Sequence, residues 1–284
     1  MSDAISYCFG AFGRVALFAM NHGLVRHAHP HCHVLIKVHG SDTSFVVGDR
    51  MTPLTDDNAV LIDGWTPHTY LHQPDQPSTT MLALYIEPDW LARFRSNWAA
   101  SGGAGFFTSN SGLISPGIRH LCTELASAMT YARADVVGHE RILEALMVSV
   151  IERFVEWRTV GTGVHDTARA GTADWRIRKA VSAIRAMPGS VLNVDELADI
   201  AGMSRANFFR RFEASTGVPP RIFQNVIRLE QAVFTTVNTD ESIRSISERL
   251  GFTSQAQFTR FFRNHAAIAP SQFRNLTRFQ GAIV

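Results

Sequence analysis

Cysteine is scarce: Cys8, Cys32 and Cys122 are the only three in 284 residues, irregularly spaced. They form neither a disulfide framework nor the paired spacing of a zinc ribbon, which excludes a stapled secreted scaffold and suits a reducing compartment. Lysine is nearly missing as well. Of 27 basic residues only Lys37 and Lys179 are lysines, so arginine carries almost all the positive charge, and its planar fork favours phosphate and guanine. No apolar run approaches the ~20 residues of a membrane-spanning helix, and the N-terminus lacks the charged-then-apolar order of a secretion signal. The expectation is a cytoplasmic protein with no membrane partner.

What is present is enough apolar residue, 45 % of the chain, for a sizeable core, and a length that suggests two domains. The charge is divided unevenly. From Asp174 onward there are 15 basic and 9 acidic residues, and before it 12 and 16. A basic C-terminal part on an acidic N-terminal part is the balance expected of a nucleic-acid reader joined to a sensing domain. The small, polar, aperiodic stretch 160–173 reads as the linker between them. The division is therefore 1–95 and 96–159, then the linker, then 174–284.

The C-terminal part repeats one plan twice, about 50 residues apart. A short amphipathic helix (Val194 to Ala201; Ile243 to Leu250) ends at Gly202 or Gly251. A bulky apolar residue follows, Met203 or Phe252, and then a helix start at Ser204 or Ser254. Glycine relieves the turn and serine caps the second helix. Paired aromatics, Phe208 with Phe212 and Phe258 with Phe262, lock that helix to its domain. This is a helix-turn-helix, present twice. Trp175 to Met187 reads as a preceding helix. Pro219-Pro220 starts a connecting helix towards Val237, with Ile222, Val226, Leu229 and Val233 as its buried stripe.

GMSRANFFRRFEASTGVPP and GFTSQAQFTRFFRNHAAIAPSQFR resemble the DNA-binding domain of AraC-type transcriptional regulators over roughly the last 110 residues. Ala267 stands where that family usually has glycine, and Phe234-Thr235-Thr236 replaces a leucine pair. The resemblance implies a sequence-specific regulator, in the first place an activator that contacts RNA polymerase, under control of a small effector. Helical spacing places Ala206, Phe209, Arg210 and Glu213 opposite the buried aromatics of the first unit. In the second unit the equivalents are Ala256, Thr259, Arg260 and Arg263, and Arg205, Asn207, Gln255 and Gln257 lie near the helix N-termini. Arg210 and Arg260 suit guanine or phosphate, Gln255 and Gln257 suit adenine, and Phe209 suits a thymine methyl. The alternative for the arginines is a phosphate clamp or an ion pair inside the domain.

From Ser6 to about Glu87 short apolar or alternating runs between turn residues suggest a sandwich or barrel. Gly23, five residues, His29, one residue, His31, and later Gly64 to His68 resemble the two cupin motifs, although Leu35, Ile36 and Lys37 stand where a cupin's acidic ligand belongs. The fold class expected is α+β in two domains, a cupin-like jelly-roll barrel with helices and an all-α double helix-turn-helix. On a regular strand His27, His29, His31 and His33 share one face. With His68, and with His72 close by in sequence, imidazoles suit Zn, Ni, Cu or Fe, and the candidate set is His29, His31 and His68. A metal-responsive regulator is thus the alternative to an organic effector, and a metallo-cupin enzyme the third reading, against which the missing carboxylate counts. Trp65, Tyr70, Tyr85 and Trp90 are candidate pocket aromatics, with core packing as the alternative for each. An effector would accordingly meet His29, His31, Trp65, His68, Tyr70 and Tyr85.

Between the two parts, Ser115-Pro116 caps a helix towards Tyr131, and a second helix spans about Gly138 to Trp157. Its apolar residues cover two faces, one for the barrel and one for a second copy of the chain. This, with the resemblance, favours a homodimer.

Overall fold

A computed structural model describes residues 3–73, 75–155, 174–190 and 192–281. The chain divides into two compact units, the first made mainly of residues up to Gly163 and the second mainly of Val164–Arg274. The expected linker 160–173 and Trp157 lie outside the described residues.

In the first unit, β1 (Asp3–Gly10), β2 (Gly13–Met20), β8 (Thr79–Ile86), β3 (Cys32–Gly40), β6 (Asn58–Ile62) and β9 (Ser111–Leu113) form a six-stranded antiparallel sheet in that spatial order. A second sheet is ordered β5 (Arg50–Leu54), β4 (Thr43–Val47), β7 (His68–Leu71). Side chains alternate across a strand. One face of the large sheet carries Val15, Leu17, Val34, Ile36, Leu82 and Leu84, which share a core with α2 (Pro116–Tyr131) and α3 (Val136–Phe154). The other face is buried too, so every residue of β8 is buried and, after Thr79 and Thr80, the strand reads as an apolar run from Met81 to Ile86. Described residues on both sides of residue 95 thus share one core.

Ser115 caps α2 as expected, its side chain accepting from the Ile118 N–H at 3.2 Å, with Pro116 in the first turn. Asp135 caps α3. Leu143, Leu146, Met147, Val150, Ile151 and Phe154 of α3 all enter the unit's own core. The two apolar faces of α3 thus find partners within one chain. Trp90, in the short helix α1 (Pro88–Ala92), is also core: its ring meets Phe12 and Phe94, and its Nε1–H donates to Glu140 at 2.8 Å. β9, three residues of sequence Ser-Gly-Leu, is too short to show a strand's alternation and is revealed only by its pairing with β6.

The second unit holds α4 (Trp175–Ala186), α5 (Val194–Ala201), α6 (Arg205–Thr216), α7 (Pro220–Asn238), α8 (Ile243–Arg249), α9 (Gln255–Ala266) and α10 (Pro270–Gly281). Asn193 and Glu196 form a capping box at α5, and Ser242 caps α8. The central buried residues of α7 are Phe223, Val226, Leu229 and Ala232, with Ile222 and Val233 on the shoulders of the stripe. Arg228 lies among them. Its guanidinium sits 3.9 Å from the Phe252 ring centroid and donates to the Leu250 carbonyl at 2.6 Å, tying α7 to the second turn. Thr235 and Thr236 are buried while Phe234 is exposed, and the Thr235 hydroxyl donates to the Gln231 carbonyl and accepts from Arg249. Thr235 is thus satisfied where a leucine was expected, whereas the buried Thr236 hydroxyl finds no hydrogen-bond partner among the described residues. Ala267 does take the left-handed backbone (φ 67°) that glycine adopts freely, at a cost of about 1 kcal/mol.

Both helix-turn-helix turns close alike. The Met203 N–H donates to the Ala198 carbonyl and the Phe252 N–H to the Ser247 carbonyl, each at 3.0 Å, across a left-handed glycine. Their surroundings differ. A Cβ on Gly202 would meet nothing within 4 Å, whereas one on Gly251 would lie 1.9 Å from the Gly189 carbonyl oxygen. Gly202→Ala should therefore cost about 1 kcal/mol, the backbone term alone. Gly251→Ala should cost well over ~2 kcal/mol, because overlap with backbone is added. Urea unfolding of the two variants checks this, and equal losses would refute the close approach.

Candidate nucleic-acid interface and effector site

The paired aromatics fix which side of each recognition helix is left for solvent. In α6, Phe208 and Phe212 are fully buried with ring centroids 5.3 Å apart, and Phe212 meets Phe223 of α7. In α9, Phe258 and Phe262 do the same, and Phe262 meets Phe273 of α10. The opposite faces are open. Arg205, Ala206, Phe209, Arg210, Gln255, Ala256, Gln257 and Arg260 are exposed, and Asn207 and Thr259 are half-buried. Phe209 shows 41 % of its surface, a large apolar group with no core to enter. Glu213 is exposed and Arg263 half-buried.

Several of these side chains are already engaged. Arg205 pairs with Asp195 at 2.8 Å. The Asn207 amide oxygen accepts from Arg210 at 3.2 Å and from Arg211 at 3.3 Å, and Arg211 also reaches Asp174 at 2.9 Å. The Ser254 hydroxyl accepts from the Gln257 N–H at 3.2 Å, the expected cap, but Ser204 makes no side-chain cap although its backbone is extended as an N-cap's should be. In return the Gln257 amide oxygen accepts from the Thr253 N–H at 3.0 Å and the Thr253 hydroxyl at 2.9 Å. Sequence reading missed Thr253, although Thr-Ser-x-x-Gln carries the capping-box signal.

The histidines between residues 27 and 33 do not lie on one strand face. β3 starts only at Cys32, Pro30 interrupts the run, and His27, His29 and His31 precede the strand. The imidazoles consequently separate. His31 Nε2 lies 2.9 Å from a Glu87 carboxylate oxygen, and this hydrogen bond is the main reason the Glu87 pKa is lowered. His33, within β3, donates through Nδ1 to the Leu84 carbonyl at 2.9 Å and stacks on Tyr85 with centroids 4.2 Å apart. His27, His29 and His68 come together instead: each is buried, and each offers one ligand atom within 4.8 Å of the others. His31 thus leaves the expected triad and His27 enters it.

Gly64 permits the approach of the two motif segments, since a Cβ there would lie 2.7 Å from the Pro30 carbonyl oxygen. Trp65 follows with a left-handed backbone (φ 65°), rare for a bulky residue. His68 Nδ1 is 2.9 Å from the Thr66 carbonyl, which only accepts, so Nδ1 carries the proton and Nε2 the lone pair. Burial, and then the neighbouring His33, push the His68 pKa down to about 3, which keeps the ring neutral. A neutral imidazole oriented by a carbonyl is the form that ligates a metal. Three nitrogens on one zinc at ~2.0–2.1 Å would stand roughly 3.3 Å apart, and these three lie within 4.8 Å of one another. Tyr70 is buried against Phe45, its hydroxyl 3.4 Å from His72 Nδ1. Tyr85 is buried between His33 and Arg14, whose guanidinium lies 4.0 Å over its ring. Arg14 was not foreseen, because its register opposite Tyr85 depends on the β2–β8 pairing.

Residues 12–147 match the family description AraC-like ligand binding domain, and residues 197–276 match Helix-turn-helix domain. An uncharacterized HTH-type transcriptional regulator of Haemophilus influenzae is 28 % identical over 147 residues, 50 % of this chain and 48 % of that protein. The HTH-type transcriptional regulator MtrA of Neisseria gonorrhoeae is 30 % identical over 104 residues, 37 % of this chain and 35 % of that one. The matches thus span half or less of the relatives' lengths. Among solved structures, unsaturated fatty acid-bound ToxT from Vibrio cholerae shares the fold, with a TM-score of 0.54 over 92 % of this chain and 94 % of that one, at 15 % identity. Sheets and caps, two helix-turn-helix units and both domain matches agree, and the chain belongs to the AraC-type regulators, with an N-terminal cupin-like domain and a C-terminal helix-turn-helix domain.

Proposed function

We propose that the protein is a sequence-specific DNA-binding regulator of transcription, acting as an activator through RNA polymerase in the cytoplasm and controlled by a small effector in its N-terminal domain. The observation that carries this is the pair of recognition helices, each buried through two phenylalanines and open on the face that bears Arg210 or Arg260. Each would enter a major groove, with the two segments about one helical turn, ~34 Å, apart. Among the described residues no helix is long and apolar enough to cross a membrane. An organic effector would bind beside His29, His31, Trp65, His68, Tyr70 and Tyr85, and would act by shifting the affinity of the second unit for DNA. A homodimer would bring two such readers to paired sites. For it α2 and α3 offer an open groove of about 530 Å³ lined by His120, Glu124, Tyr131 and Ile142, with Tyr131 85 % exposed.

The second reading is a metal effector, favoured by the His27, His29 and His68 grouping. A divalent ion such as Zn, Ni, Cu or Fe would bind neutral imidazole there. Glu87, engaged by His31, stands outside the three-histidine group.

Two outcomes are expected. Arg260→Ala should weaken binding to DNA selected from a random library by about 10- to 100-fold and leave the oligomeric state unchanged in native mass spectrometry; wild-type affinity would remove the groove assignment. On the metal reading, untagged protein should retain about one ion per chain after dialysis, and His29→Ala/His68→Ala should retain none. Metal-free wild-type protein would leave only the organic effector.

A further inference from the structure

The third residue of each recognition helix, Asn207 in α6 and Gln257 in α9, carries an amide, and in both the amide oxygen is already hydrogen-bonded by neighbouring groups of the domain. Thr253 N–H and the guanidinium groups of Arg210 and Arg211 have hydrogens to give and no lone pair to offer. The amide atom facing them is therefore the oxygen. For Gln257 that oxygen takes the Thr253 N–H at 3.0 Å and the Thr253 hydroxyl at 2.9 Å, which fills both of its lone pairs. For Asn207 it takes Arg210 and Arg211 at 3.2 and 3.3 Å.

Reading adenine with an amide requires both ends of the group, the oxygen accepting from N6–H and the NH2 donating to N7. Here the oxygen is spent and the NH2 remains. Guanine is the base whose major-groove edge presents two acceptors, N7 and O6, and no donor. We infer that Asn207 and Gln257 act as donor-only readers that select guanine, against the adenine preference that glutamine at this place would otherwise carry. The inference rests on the DNA-reading function proposed above. It also gives Thr253 a role, as the residue that sets the specificity of Gln257 without touching DNA.

The test is selection of bound sequences from a randomised duplex library by the full-length protein, for wild type, Gln257→Glu, Asn207→Asp and Thr253→Val. The acidic replacements keep the engaged acceptor and lose the NH2 donors. The expected wild-type motif holds one guanine per recognition helix, preferred over adenine by about 10-fold. Each acidic variant should lose its own guanine and keep the rest of the motif, and Thr253→Val, which returns a lone pair to Gln257, should raise adenine at the Gln257 position. An adenine at a position that Gln257→Glu abolishes, or motifs identical across the variants, would overturn the inference while leaving DNA reading intact. If Gln257→Glu binds no DNA at all, the base change in Thr253→Val decides alone, and an unchanged guanine overturns the inference. A wild type that enriches no motif would overturn the DNA-reading function itself and the inference with it.

Discussion

The first unit depends on a sheet that is covered on both faces. Helices α2 and α3 bury one side of the six-stranded sheet, and the other side is buried as well. Polar side chains on these strands then lack bulk water and must find partners within the protein. His33 takes the Leu84 carbonyl and the face of Tyr85, and Arg14 lies over the other part of the same aromatic system. Lys37, almost wholly buried, reaches out to Asp42 and Asp56. The same constraint silences the cysteines: burial pushes the Cys8, Cys32 and Cys122 thiols up to about 12, far from a reactive thiolate.

The loops at the end of the barrel obey that accounting too. Asp63 accepts the Gly105 N–H at 2.6 Å and the Phe107 N–H at 2.9 Å, holding the stretch that leads into β9. Its pKa is still raised, because burial outweighs those bonds. A raised carboxyl pKa means that ionised Asp63 is a cost at neutral pH, borne in exchange for an ordered loop. Trp65 is strained in the same neighbourhood, next to the segment that carries His68. Strain and buried charge thus gather where the two cupin-like motifs meet, as they do at sites selected for more than stability.

In the second unit the limiting element is the left-handed turn. It lets a short helix and a recognition helix cross at close range, and the aromatics then leave one face of the recognition helix bare. Arg228 couples this geometry to α7 through the Phe252 ring and the Leu250 carbonyl. The bare faces are arginine-rich, and their polar heads are pre-oriented by neighbours within the domain. Pre-orientation lowers the entropy cost of binding and narrows what each head can recognise.

By itself the sequence determined the double helix-turn-helix, the strand-rich first part, the caps at Ser115 and Ser254, and the outward set from Arg205 to Arg260. All of these follow from local signals: helical and strand periodicity, glycine at left-handed turns, and oxygen side chains at helix starts. The core shared across residue 95, the two ends of the α7 stripe and strand β9 were not legible, because they depend on which surfaces pack together. Only the tertiary structure separated His31 from His27, His29 and His68, since a proline-broken segment has no period from which to read a face. Only it placed Thr253 against the Gln257 oxygen. A sequence names the donors and acceptors a side chain owns, but which of them remain for a ligand is decided by what the fold has already placed beside them.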